Sequence, residues 1–212
     1  YYARTYVVPP GFVRELYNDI PCLNCSVTSG TPITVTVGAT TSNIDFSLDQ
    51  GASITGTVTN ASTSAALSGI GVEVYDSNGI FVASNTSNAT GVYTVGGLAP
   101  GNYFVRTFNS LGFVNELYNN ITCVLCSVVS GTPVIVSTGT TAGIDFALLP
   151  GGRVSGTVTN AATGAALAGA NVSIYNSSFS FVTNAITDAS GNYTSSAGLP
   201  TGTYIARSSA AG

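Results

Sequence analysis

The chain has 212 residues, 44% hydrophobic and only 7% charged, with a formal net charge of −4. Its only cations are Arg4, Arg14, Arg106, Arg153 and Arg207, so the clustered positive charge that nucleic-acid binding requires is missing, and that class is excluded. No apolar run approaches the ~20 residues of a transmembrane helix, and the opening "YYARTYVVPPG" has no apolar stretch of the kind a signal peptide needs.

In chain order, the opening "YYARTY" matches "NYFVRTF" at 102–108 and "TYIARSS" at 203–209, text of strand character. "ELYNDIPCLNCSVTSGTP" follows from Glu15 and returns from Glu116 as "ELYNNITCVLCSVVSGTP", with Cys22 and Cys25 mapping onto Cys123 and Cys126 at a shift of 101. A repeat of that period makes each copy one structural unit. "TPITVTVG" and "NIDFSL" read as strands of period two, the latter with Ile44, Phe46 and Leu48 on one face; "TPVIVSTG" and "GIDFAL" repeat them. "ASITGTVTN" places Ile54, Gly56 and Val58 on one face, and "GRVSGTVTN" repeats the pattern with Val154, Gly156 and Val158. The runs "ASTSAALSG" and "AATGAALAG" are short, flanked by Gly and without an apolar face. They are read as loops pinned by Leu67 and Leu167 rather than helices. "GVEVYD" and "NVSIYN" point Val72/Val74 and Val172/Ile174 inward. Turn signals precede Val92, Tyr103, Tyr193 and Tyr204.

Several short strands at regular spacing in a unit of roughly 100 residues predict an all-β antiparallel sandwich. The ordered set Gly156-Thr157-Val158-Thr159, Leu167-Ala168-Gly169, Val172, Gly191-Asn192-Tyr193 and Gly202-Thr203-Tyr204 recurs about 100 residues upstream. It resembles the carboxypeptidase-regulatory-like repeat, related to the Cna-B-type domains of bacterial surface proteins. That resemblance implies tandem Ig-like, prealbumin-like sandwiches, and it covers most of the chain. On this framing residues 1–50 form the C-terminal part of one repeat and residues 51–150 a complete one. Residues 151–212 then form the N-terminal part of a further repeat, completed by a neighbouring unit. The "ELYN…CxxC" insert lies outside the minimal family pattern. Related pilin domains carry Lys–Asn crosslinks, but with no Lys such a staple cannot form here.

Two CxxC pairs invite three readings. A thioredoxin-like site needs a βαβ setting, which the chain lacks. Zinc needs four ligands, and here the pairs lie 101 residues apart with no His. Local disulfides Cys22–Cys25 and Cys123–Cys126 are the expectation, favouring an oxidising compartment. Glycan attachment is expected at some of the Asn-x-Ser/Thr sites Asn60, Asn85, Asn88, Asn120, Asn171, Asn176 and Asn192; Asn24, between two cysteines, is the poorest acceptor. The carboxylates that recur, Glu15/Glu116 and Asp45/Asp145, are read as structural because each repeat copies them, and Asp188 is read as a turn residue. No cofactor, metal or enzymatic activity is expected.

Ser, Thr and Asn make up about a third of the chain and stand in for charge at the surface. With no Met, the chain is expected to be a processed or excised piece of something longer. Three functions compete: an extracellular stalk, pilus or fibril of head-to-tail units; an adhesin or carbohydrate-binding module; and an accessory array of a secreted enzyme. Trp is absent, and Tyr17 and Tyr118 are the candidates for exposed aromatics. The structural reading joins repetition, low charge, sequons and cysteines, with copies of the same unit as partners and no membrane span.

Overall fold

The computed structural model describes residues 1–6, 11–23 and 25–209. The first unit contributes the hairpin β1 (Glu15–Leu16) and β2 (Ile20–Pro21). The middle unit contains β3 (Ala52–Asn60), β4 (Gly71–Tyr75), β5 (Phe81–Thr86), β6 (Val92–Leu98) and β7 (Gly101–Phe108). After these come β8 (Glu116–Leu117), β9 (Ile121–Thr122), β10 (Val134–Val136), β11 (Thr140–Thr141) and β12 (Phe146–Leu148). The third unit holds β13 (Ser155–Thr157), β14 (Asn171–Asn176), β15 (Phe181–Ile186), β16 (Asn192–Thr194) and β17 (Tyr204–Ser209).

The middle unit is an Ig-like sandwich. One layer runs β5-β4-β7 with β10 on the far side of β7; the other places β6 on one edge of β3 and β11 and β12 on the other. Alternation decides which side chains meet between the layers. Ile54 and Val58 of β3, Val72 and Val74 of β4, and Val105 of β7 are buried, while Thr55, Thr57 and Thr59 stay half-exposed. Tyr93, Leu98, Phe146 and Leu148 complete the core. Each such side chain contributes about 1.5–3 kcal/mol on burial.

The sandwich is antiparallel except where it closes. β12 runs parallel to β3, with Phe146, Ala147 and Leu148 opposite Val58, Thr59 and Asn60, and β11 pairs parallel with Ser53 and Ile54. Between these two stretches the ladder breaks, and three contacts bridge the gap. Ile144 N donates to the Thr55 carbonyl at 3.2 Å, and the Tyr93 hydroxyl donates to the Ile144 carbonyl. Asp145 Oδ1 accepts from the Thr57 amide at 2.7 Å and the Thr57 hydroxyl at 2.9 Å. The carboxylate thus takes the place of a missing backbone partner. Gly56 permits it, because a Cβ there would sit on the Ile144 carbonyl.

The Ala-rich runs are loops. Leu67 N donates to the Val58 carbonyl and Leu167 N to the Val158 carbonyl. Buried Ser87 locks the first loop by donating to the Leu67 carbonyl while accepting from Ile70 N. Asn88 and Asp188 each accept two amides of the turn that follows them, so Asp188 is a turn residue.

One strand expectation changes. Residues 33–37 and 44–48 do not form strands, although their counterparts β10 and β12 do. A strand exists only with a partner, and among the described residues nothing in the first unit corresponds to β3. Ile33 N keeps one bond, to the Tyr1 carbonyl, which reproduces the pairing of β10 with β7. Tyr17 and Tyr118 are half-buried rather than exposed, each packing edge-on against its own Phe46 or Phe146.

Candidate functional site at the joint between repeats

Two joints connect the three units, and they share one construction. At the first, residues 49–51 run between units as a hydrogen-bonded ribbon: Val13 N donates to the Asp49 carbonyl and Gly51 N to the Gly11 carbonyl. At the second, Val114 N donates to the Leu149 carbonyl and Gly151 N to the Gly112 carbonyl. The bridges Phe12↔Gln50 and Phe113↔Pro150 occupy equivalent places. On its other side the ribbon meets the following unit, with Ala52 opposite Leu98 and Gly152 opposite Leu199. The linker is therefore held on both flanks, which removes the freedom an ordinary linker keeps.

Glycine makes the approach close enough. A Cβ at Gly97 would lie 2.9 Å from the Phe12 carbonyl oxygen, and one at Gly198 would lie 2.5 Å from that of Gly112. Gly51 and Gly151 would likewise strike the backbone of Gly97 and Gly198. Arginines clasp across each joint: Arg14 Nη2 reaches the Val82 carbonyl at 3.4 Å, and Arg153 Nη2 the Leu111 carbonyl at 2.9 Å.

The cysteine insert flanks the joint. Cys22 is bonded to Cys25 and Cys123 to Cys126, with Cα–Cα separations of 5.2 and 5.1 Å. β8 pairs with β7 through Leu117 and Arg106, so the disulfide loop is carried on the edge of the sandwich. Cys123 and Leu125 line a recess with Val182 and Gly198 of the next unit.

The recurrent carboxylates separate into two roles. Asp145 is the clasp described above. Glu15 and Glu116 are each 4% exposed, and Glu15 Oε1 and Glu116 Oε2 meet no donor. Burial pushes the Glu116 carboxyl up to about 7. Burial also raises Glu15, with Asp19 and Asp49 adding repulsion. Nothing in the sequence signalled this burial beyond the repetition of the residue. Glu73 takes an exposed-face role, accepting from Arg106 at 2.6 Å and from the Tyr75 hydroxyl at 2.7 Å. Among the described residues no group of three or more His, Cys, Asp or Glu is placed to hold a metal ion.

The sequons scatter over the surface rather than converge. Asn85, Asn88, Asn120 and Asn192 are exposed, while Asn60, Asn171 and Asn176 are half-buried; Asn24 lies outside the described residues. Asn85 Nδ2 is engaged by the Thr94 carbonyl, and Asn60, Asn88 and Asn176 use their oxygens to cap turns. A groove of ≈ 810 Å³ beside the first joint is lined by Gln50, Ser53, Ser84, Asn85, Thr94 and Thr140 among others, with no aromatic or charged side chain among the described residues. Such a lining offers no stacking platform for a sugar ring.

Comparison with known proteins gives three kinds of result. No curated protein gives a significant match. Among solved structures, the chain is similar to the Bacillus anthracis TIE protein at 20% identity and a TM-score of 0.35, covering 75% of this chain and 28% of that one. It is similar to a Streptococcal ancillary pilin at 15% identity and TM-score 0.39 (74% and 53% covered). A variant of shaft pilin SpaA from Lactobacillus rhamnosus GG follows at 12% and 0.34 (77% and 90%). The chain thus spans well under two thirds of the first two. At these scores the fold rests on the strand order above and on a family match. Residues 53–149 and 153–212 match the carboxypeptidase regulatory-like domain, and the chain belongs to that family, as a tandem array of Ig-like β-sandwich repeats.

Proposed function

We propose that this chain is a structural segment of an extracellular filament (a pilus, fibril or stalk) built from sandwiches joined head to tail. The observation that carries this reading is the joint itself. The same two ribbon bonds, the same bridge and the same glycine approach recur at Gly51 and at Gly151. A contact that hands each unit to the next without closing on itself generates a linear array. Two disulfide-stapled inserts and a surface poor in charge suit a location outside the cell. Glycans on exposed sequons such as Asn88, Asn120 and Asn192 hydrate the surface. The filament's work is mechanical and the chain is not an enzyme.

Electron microscopy of the natively isolated material tests this. Unbranched filaments one sandwich wide are expected. Discrete particles of one chain each, at high protein concentration, contradict it.

A further inference from the structure

The first joint encloses a cavity of ≈ 280 Å³ that both of its units line. Glu15 and Asp49 face it from the first unit and its linker, Ser137 and Thr138 from the middle unit, and Gln50 from between them. Glu15 is 4% exposed, and its Oε1 meets no donor. A buried carboxylate is costly unless an ion pair or a metal holds it. Among the described residues the only salt bridge joins Arg106 to Glu73, far from this joint in the chain. Arg14, beside Glu15 in sequence, is engaged by the Val82 carbonyl instead. Of the groups acting on the Glu15 carboxyl, Asp19 and Asp49 repel it and the Ser47 amide attracts it.

The second joint supplies the contrast. Glu116 is also 4% exposed, with Oε2 unmet. Its surroundings differ, because Asn120 stands in the place of Asp19, Leu149 in that of Asp49 and Pro150 in that of Gln50. Burial acts on the Glu116 carboxyl without a second carboxylate to reinforce it. The negative charge gathered at the first joint is absent from the second.

We propose that the first joint binds one hard divalent cation of the calcium class, held by the carboxylates of Glu15 and Asp49 in the cavity between the two units. Such an ion takes about six to eight oxygen ligands and accepts carbonyls, hydroxyls and water beside carboxylates. Gln50, Ser137 and Thr138 line the same space and carry amide, hydroxyl and carbonyl oxygens for it, and Asp19 adds a third negative charge nearby. Sulfur plays no part, so the separation of the two CxxC pairs, which excludes a shared zinc, has no bearing here. No sequence motif marks the site, because its oxygens come from two different repeats. With two carboxylates in the cavity rather than three or more, the affinity belongs to the range of extracellular modules, about 10⁻⁴–10⁻³ M. A bound ion ties Glu15 to residues 137–138 of the next unit and braces the joint that the ribbon bonds already hold. The site requires the joint and not the filament.

Calorimetric titration of the chelator-treated full chain with calcium chloride near neutral pH tests this, together with amide exchange in the presence and absence of the ion. One site per chain is expected. Exchange at Val13 and Gly51, the ribbon amides of the first joint, should slow by about tenfold when calcium stands roughly ten times above Kd, while Val114 and Gly151 stay unchanged. Asp49→Leu should abolish both effects, and the variant should fold, because Leu149 serves in the same ribbon position at the second joint. Glu15→Gln should abolish them too. No heat of binding up to ~10 mM calcium, binding that survives Asp49→Leu, or equal slowing at both joints overturns the site. The filament reading is judged by microscopy alone and stands or falls apart from this result.

Discussion

Gly56→Ala is a change of one methyl group, and it should unfold the middle unit at temperatures the parent tolerates. The new Cβ has no flexible neighbour to push aside: its nearest atoms are the carbonyl of Ile144 and the amide of Asp145, both backbone. Separating β3 from residues 144–145 costs about 1–3 kcal/mol in overpacking. It also weakens the Ile144–Thr55, Thr57–Asp145 and Tyr93–Ile144 hydrogen bonds, each worth about 1 kcal/mol. Reduced freedom of the unfolded chain returns about 0.4–1 kcal/mol. The net loss is about 3 kcal/mol, roughly 12–24 °C in Tm for a unit of this size. Urea and thermal denaturation followed by tyrosine fluorescence measure it. A loss below about 1 kcal/mol at Gly56 would refute the closing geometry.

Other consequences are equally open to measurement. The Glu116 carboxyl sits at about 7 when folded against an ordinary value of 4.5, so the folded state binds the extra proton. Stability should therefore fall as pH rises from 4.5 through 7, by about 2–3 kcal/mol, and Glu116→Gln should flatten that slope. Gly97→Ala, at a φ of +76° and against the Phe12 carbonyl, should loosen the first joint alone; hydrogen exchange should quicken at Val13 and Gly51 while the Val72 and Val74 amides stay protected. The Cys123–Cys126 bond closes a very short loop, so reducing it should cost roughly 2 kcal/mol and speed exchange in β8 and β9. Natively isolated protein should exceed its 21.3 kDa sequence mass by sugar increments, and a bare mass would end the glycan proposal.

Much of the fold was legible because its signals are local. Alternation alone placed Ile54 and Val58 inward and Thr55 and Thr57 outward, and Gly flanks with no apolar face marked the Ala-rich runs as loops. Recurrence marked Asp145 as structural, but only the fold shows that its carboxylate accepts from the Thr57 amide. The parallel closure of β12 on β3 was not legible, since its partners are nearly 90 residues apart and the pattern of either strand suits both directions. Residues 33–37 and 44–48 carry genuine strand patterns, yet a pattern becomes a strand only beside a partner. The joint was hidden for a related reason. Gly97 and Gly198 look like ordinary turn glycines, and only the folded chain brings them against Phe12 and Gly112. Tyr17 and Tyr118 appeared free because the phenylalanines that cover them lie 28–29 residues downstream.

The central claim is that one joint, repeated, sets the geometry of the whole array. Reconstruction of the native filament by electron cryomicroscopy measures this directly, through the transformation relating each sandwich to the next. Because the joints at Gly51 and Gly151 share their bonds, the account predicts a single constant rotation and rise along the filament, with the linker backbone paired on both flanks. Successive sandwiches set at variable angles, with unpaired linkers between them, would contradict it.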